Sequence, residues 1–267
     1  MSELVLSRRV GAVQVVTYNN PTSRNSLVAG CYAALAAALA AAQADPEVGT
    51  IVLTGAGGYF CSGGDLQRLK TWRTAPAAER RLGIEDLHGF VRAVRDCPKP
   101  VVAAVEGGAA GAGVSLALAC DLLVSARDAS FSVAYVKVGL SPDGGATAFL
   151  SESVPRQLLT ELCLTGDRVS AQRLAEFGTV NRLVDNGRAE AEAVALAQRI
   201  ANGPARATAR IKALCRQAYG ATVDEQLEAE ANRMSESLGD DEAAEGIGAF
   251  FAKRRPDFAA LRKPTTA

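Results

Sequence analysis

The positions best suited to chemistry are mostly backbone. Two glycine-rich runs each follow a short apolar stretch: Gly57-Gly58-Tyr59-Phe60-Cys61-Ser62-Gly63-Gly64-Asp65-Leu66 and Glu106-Gly107-Gly108-Ala109-Ala110-Gly111-Ala112-Gly113-Val114-Ser115-Leu116. Glycine lets the main chain approach a ligand closely and take up positive φ. Where such a run opens a helix, the first N–H groups lack intrahelical partners and carry partial positive charge, which suits an anion or a developing oxyanion. Neither run reads GxxxxGK[ST] or GxGxxG, so a nucleotide phosphate is not what they are spaced for. Taken singly, each also reads as a plain turn or a seam for close helix packing. Side chains of a type that can move a proton include Asp143, in Gly139-Leu140-Ser141-Pro142-Asp143-Gly144-Gly145, and the single histidine, His88. Asp after Pro and before Gly-Gly is also capping chemistry for a helix through 148–151. A lone histidine on an amphipathic helix is commonly a partly exposed polar residue.

Those residues need elements to hold them, and the hydropathy pattern supplies these. A strand pair, Leu4-Val5-Leu6 and 13–17, flanks a turn at Val10-Gly11. A helix is expected over 27–43, ended by Asp45-Pro46. The stretches 50–54 and 101–105 read as buried strands, and each runs directly into one glycine run. Between them, 76–95 is helical, with Leu82, Leu87, Val91 and Val94 on one face. A helix over 114–119 and short strands at 122–125 and 130–132 follow. Strand and helix therefore alternate, which predicts an α/β core with largely parallel strands. After Pro155 the pattern is helical at 155–164, 170–176, 189–201, 204–219, 223–238 and 242–253, with 180–184 the one expected strand. We divide the chain into a core, 1–200, and a helical oligomerisation region, 201–267.

Taken together, the runs resemble the crotonase (enoyl-CoA hydratase/isomerase) superfamily. The first is similar to its F-C-A-G-x-D motif, here Phe60-Cys61-Ser62-Gly63-Gly64-Asp65. The second is similar to A-V-x-G-x-A-x-G-G-G, here running from Ala104 to Gly113, and Cys120-Asp121 with Ala126 stands where C-D-x-x-x-A is expected. The likeness extends to Arg24-Asn25-Ser26-Leu27 and to Glu245-Gly246 through Lys253-Arg254-Arg255-Pro256. It implies a crotonase-like spiral of ββα units and a C-terminal trimerisation region, working as a homotrimer or a dimer of trimers. It further implies that the N–H groups of Ser62 and Ala112 bind a thioester oxygen, and that an acyl-CoA is the partner. Coenzyme A would then be part of the substrate, with no separate cofactor. Arg24, Gly63, Gly64, Asp65, Leu66, Gly111, Ser115, Tyr135 and Lys253 are its implied contacts, with Arg254 and Arg255 as further phosphate candidates. Asp65 is also suited to pinning its own loop by accepting backbone N–H bonds.

The resemblance departs from the family pattern at one telling place. Family hydratases add water with two glutamates, and the matching positions hold Ser115 and Tyr135. A similar P-D-x-G segment in family isomerases carries a proton-shuttling aspartate, which implies that role for Asp143. Water-adding, hydrolytic or aryl-CoA dehalogenase-like chemistry with Asp143 and His88 is the alternative, and a non-catalytic acyl-CoA binder is another. Composition is compatible with all three. The 267 residues are 48% hydrophobic, and 29 basic groups balance 29 acidic ones, so neither nucleic acid nor an anionic membrane is the expected partner. The N-terminus lacks a signal pattern, and the longest apolar stretch is too short for a bilayer, so a cytoplasmic protein is expected. The six cysteines form no CxxC, and there is no HExxH, so buried free thiols and no metal site are expected.

Overall fold

Gly11, at φ +57°, folds β1 (Val5–Val10) back on β2 (Val13–Tyr18), the one antiparallel pair of the main sheet. The computed structural model describes residues 3–262; residues 1–2 and 263–267, the outer ends of the expected 1–200 and 201–267 regions, lie outside the described residues. Helix α1 (Cys31–Ala44) starts four residues later than expected, because Leu27 is drawn out of the helix into a parallel bridge with Gly64. It buries Cys31, Leu35, Leu39 and Ala42 along one face. Strand β3 (Thr50–Gly55) follows, then α2 (Leu66–Trp72), a short helix missing from the sequence reading, and α3 (Ala77–Asp96).

The chain continues through β4 (Val101–Val105), β5 (Gly108–Ala110), α4 (Ala112–Ala119), β6 (Leu122–Ala126), β7 (Ser130–Ser132), α5 (Ala146–Ser151), α6 (Arg156–Thr165), β8 (Arg168–Ser170), α7 (Ala171–Glu176) and β9 (Arg182–Val184). The main sheet has the order β1-β2-β3-β4-β6-β9, parallel from β2 onward. Every residue of β4 is buried, as expected of a parallel strand covered on both faces. A second sheet has the order β5-β7-β8. It corrects two expectations: part of the second glycine run is a strand, and the later half contributes β8 as well as β9.

One face of the main sheet carries the larger core, including α1, α3 and α4. The other is covered by α8 (Ala189–Ala201), whose Ala189, Ala193, Ala197 and Ala201 are at most 2% exposed. Ala193 and Ala197 pack on Val13, Val15, Val52, Val102, Ala104 and Val124. Small residues at that spacing let helix and sheet approach closely. Helices α9 (Ala205–Gln217), α10 (Val223–Leu238) and α11 (Asp241–Phe251) follow. Lys212 ties α9 to the core through Asp121 at 2.7 Å, and Glu242 caps the start of α9 by accepting the N–H groups of Arg206 and Ala207 at 3.0 and 3.1 Å. Among the cysteines, Cys31, Cys61 and Cys97 are buried as expected, whereas Cys120 and Cys163 are only partly so and Cys215 is exposed on α9. Among the described residues, no helix is long and apolar enough to cross a membrane.

Candidate active site

Because β3 and β4 are parallel neighbours, with Thr54 opposite Ala104, the glycine runs that follow them leave the same edge of the sheet. Ligands of open α/β sheets bind outside the carboxyl ends of strands. Backbone bonds stitch the two runs together: Phe60 N–H donates to Glu106 O at 3.0 Å, and Ala110 N–H to Cys61 O at 2.9 Å. Their glycines answer to this seam. Gly63 sits at φ +92°, and a β-carbon there would lie 2.6 Å from Ala110 O and 3.4 Å from Ala112 N. Gly113 faces Cys61 O so closely that no side chain fits.

Gly111, at φ +51°, turns the chain into α4, and Ala112 is the first helical residue. Its N–H has no partner within the helix by geometry. Ala112 does not take up positive φ, so alanine is unstrained where the motif that this run resembles has glycine. The N–H of Ser62 donates to Arg24 O at 2.9 Å, and its Oγ donates to Ser23 O at 3.0 Å. Arg24 is held at φ +53° with its guanidinium 5.8 Å over the Tyr59 ring. The neighbouring Asn25, fully buried, anchors this lip. Its Oδ1 accepts Asn20 N–H, and its Nδ2 donates to Ala56 O and Tyr59 O at 2.8 and 2.5 Å. Asn25 has no role in the sequence reading, although it lies inside the Arg24-Asn25-Ser26-Leu27 match.

Asp143 meets the seam through Tyr135. The Tyr135 hydroxyl donates to Asp143 Oδ1 at 2.7 Å, and the Tyr135 ring lies against Gly111. Fully buried Ser115, on the first turn of α4, donates its Oγ to Asp143 O at 2.9 Å. The side chain of Asp143 does not cap α5; Gly145, at φ +84°, holds that position. Burial raises the Asp143 carboxyl above the usual carboxylate range, partly offset by the Tyr135 bond and by the charge of His88. His88 lies on α3, about one-third exposed, with Nδ1 3.5 Å from Glu85 Oε1. Tyr32, another residue outside the sequence reading, senses the Asp143 charge, and burial raises its own hydroxyl. The thiol of Cys61 is pushed up to about 12 by burial, so it stays protonated and offers no nucleophile beside the seam.

The structure thus brings Gly63, Gly111, Ala112, Ser115, Tyr135 and Asp143 together. Gly64 carries Leu69 of α2 against it, and Leu66 is 58% exposed at the start of that helix. Asp65 serves α2 rather than its own loop, since its carboxylate accepts Gln67 N–H at the helix N-cap. Lys253 is exposed beyond α11, and the adjacent Arg254 is engaged by Glu245 at 2.6 and 2.7 Å rather than offered to a phosphate.

A seam of backbone donors at a sheet edge, with one raised carboxyl beside it, is an arrangement for polarising a carbonyl and moving a proton. Residues 8–261 match the enoyl-CoA hydratase/isomerase family, and the chain belongs to it. It is an acyl-CoA-processing enzyme with the crotonase fold. It is 36% identical to the 1,2-epoxyphenylacetyl-CoA isomerase of Escherichia coli over 97% of this chain and 99% of that one. It is 31% identical to the 2,3-dehydroadipyl-CoA hydratase of Escherichia coli, again over 97% and 99%. The crystal structure of an enoyl-CoA hydratase from Polaromonas sp. JS666 superposes with a TM-score of 0.92 at 44% identity, covering 94% of this chain and 98% of that one.

Proposed function

We propose that the chain isomerises an unsaturated acyl-CoA, with Asp143 carrying a proton between acyl carbons. One observation carries this reading: the two positions where family hydratases hold glutamates hold Ser115 and Tyr135, and both donate to Asp143. A single carboxylate remains to do the work, and a relative named as an isomerase agrees with that.

In this mechanism the thioester oxygen accepts the N–H groups of Ala112 and Ser62, displacing Arg24 O from the second. Asp143 removes a proton from the acyl chain. The C–H electron pair becomes a double bond to the carbonyl carbon, and the carbonyl π pair moves onto the oxygen held by the two donors. Returning the proton to a carbon further along the conjugated system restores the carbonyl and leaves the double bond displaced, with no atom gained or lost. Donors fixed in advance stabilise the enolate more than the ground state, and losing one costs about 3–4 kcal/mol of barrier.

The test is a single turnover of 3-enoyl-, 2-enoyl- and aryl-CoA thioesters in deuterated, oxygen-18-enriched water. Deuterium in the acyl chain without oxygen-18 supports isomerisation. Oxygen-18 in the product sinks it and leaves a hydratase, hydrolase or aryl-CoA dehalogenase-like reaction in which His88 assists. Binding with neither label leaves a non-catalytic acyl-CoA binder.

We also propose that the protein assembles as a homotrimer or a dimer of trimers. Supporting this, Val223, Leu227, Met234, Leu238, Phe250 and Phe251 of the last two helices are all at least 58% exposed. Such an assembly offers Lys253 to the coenzyme phosphates of a neighbouring copy. A monomer in sedimentation velocity would refute it.

A further inference from the structure

Helices α2 and α3 touch both halves of the site from outside. Leu69 of α2 lies against Gly64, next to the first glycine run. Leu87 of α3 lies against Gly144, next to Asp143, where a β-carbon would be 3.1 Å from its Cδ2. The residue after Leu87 is His88, whose charge acts on the Asp143 carboxylate. Between these contacts, the two helices are joined through Trp72. Its indole lies on Gly83 with no room for a side chain there. The Arg68 guanidinium sits 4.2 Å from the centroid of the ring, and Arg68 also pairs with Asp86 at 3.6 Å. Leu82 and Ile84, on either side of Gly83, are 68% and 37% exposed.

Glycine is disfavoured inside a helix, but at Gly83 any larger residue would meet the indole. Gly89, in the same helix, has open space around it and no such contact. The charge of Arg68 acts on Cys31 and Tyr32 of α1, and the charge of Asp143 acts on Tyr32. Leu69 at Gly64 and Leu87 at Gly144 place both helices at the border of the glycine seam and Asp143, and Trp72 is the largest side chain joining them.

We propose that Trp72, seated on Gly83 and covered by Arg68, sets how large an acyl group this enzyme accepts. The chemistry of the wall selects the class. Leu69, Trp72 and Leu87 are apolar, and Arg68 is engaged by Asp86 and the indole, so a neutral apolar tail fits better than one ending in a carboxylate. The inference rests on the acyl-CoA reading above and not on which reaction follows.

The test compares Trp72→Ala, Gly83→Ala and Gly89→Ala with the parent. Three thioesters are used, bearing a short unbranched, a phenyl-terminated and a carboxylate-terminated acyl group. Calorimetric binding is read for each, and kcat/KM where turnover occurs. Trp72→Ala raises the phenyl-to-short ratio by about tenfold, the scale of discrimination set by one small change in an apolar pocket. Gly83→Ala unseats the indole and shifts the ratio, whereas Gly89→Ala leaves it at the parent value although both favour the helix. The parent binds the carboxylate-terminated ester more weakly than the phenyl ester. An unchanged ratio in Trp72→Ala, or Gly83→Ala behaving as Gly89→Ala does, overturns the proposal. Binding that follows the pattern without any turnover counts against the isomerase reading alone.

Discussion

Tyr135 donates its hydroxyl hydrogen to Asp143 Oδ1 at 2.7 Å, from a ring that also lies against Gly111. This bond favours the charged carboxylate and opposes the burial that raises its pKa. Tyr135→Phe removes the opposing influence, so the carboxyl rises further. The acid limb of kcat/KM against pH moves upward, because the base must be deprotonated to act. A pH profile of the variant checks this, and an unmoved limb would mean that Asp143 is not the titrating base.

Asp143→Asn separates chemistry from fold. Turnover falls by about a hundredfold or more, the usual scale for losing a general base, while thioester binding persists. Stability moves the other way. A carboxyl raised above its unfolded value binds protons more readily in the folded chain, so the stability it contributes is complete below the unfolded pKa and declines as pH rises through the folded one. The variant therefore melts higher than the parent near neutral pH, and the gap closes in acid. Calorimetry across that range measures it.

Gly63→Ala tests the seam between the runs. The residue is held at φ +92°, and its new β-carbon would press on Ala110 O. We expect a loss of at least about 1 kcal/mol of stability from the backbone conformation alone. Turnover falls further than stability explains, because the N–H groups on either side shift. Denaturant melts alongside kcat at a temperature where the variant is folded would distinguish the two effects.

Lys212→Met breaks the tie between α9 and the core. Asp121, 2.7 Å away, already has its carboxyl raised by burial and would be left without its cation. Loss of one partner from a well-buried pair costs about 3 kcal/mol, an upper figure here since Asp121 is one-quarter exposed. The double variant with Asp121→Asn recovers part of the loss, as thermal melts will show.

The parts of this site carried by local backbone demands were legible in the sequence. Strands of continuous valine, isoleucine and alanine running into glycine announce both a buried parallel sheet and an edge where backbone is exposed to a ligand. Asp143 stood out through the likeness of its segment to the P-D-x-G of family isomerases, although Asp between Pro142 and Gly144 is also ordinary turn and capping chemistry. Contacts made across the fold were hidden. Leu27 fits a helix until Gly64 arrives to pair with it, and β5 is three small residues held extended by β7 on one side and Cys61 on the other. Helix α2, at seven residues, is too short to show a period. The engagement of Ser62 N–H by Arg24 O accompanies two successive left-handed residues, Arg24 and Asn25, a conformation that asparagine favours but arginine does not foretell.

The seam of β3 and β4 has a consequence for how such a protein can change. The groups proposed to activate the thioester are main-chain amides, so the side chains at 62 and 112 can drift without erasing them, provided the neighbouring glycines stay. The proton handling proposed above is written in side chains at three places: 115, 135 and 143. Divergence of one reaction into another on this scaffold would thus be a matter of few mutations. Hydration could be sought by placing glutamate at 115 and 135 while leaving the rest of the molecule untouched.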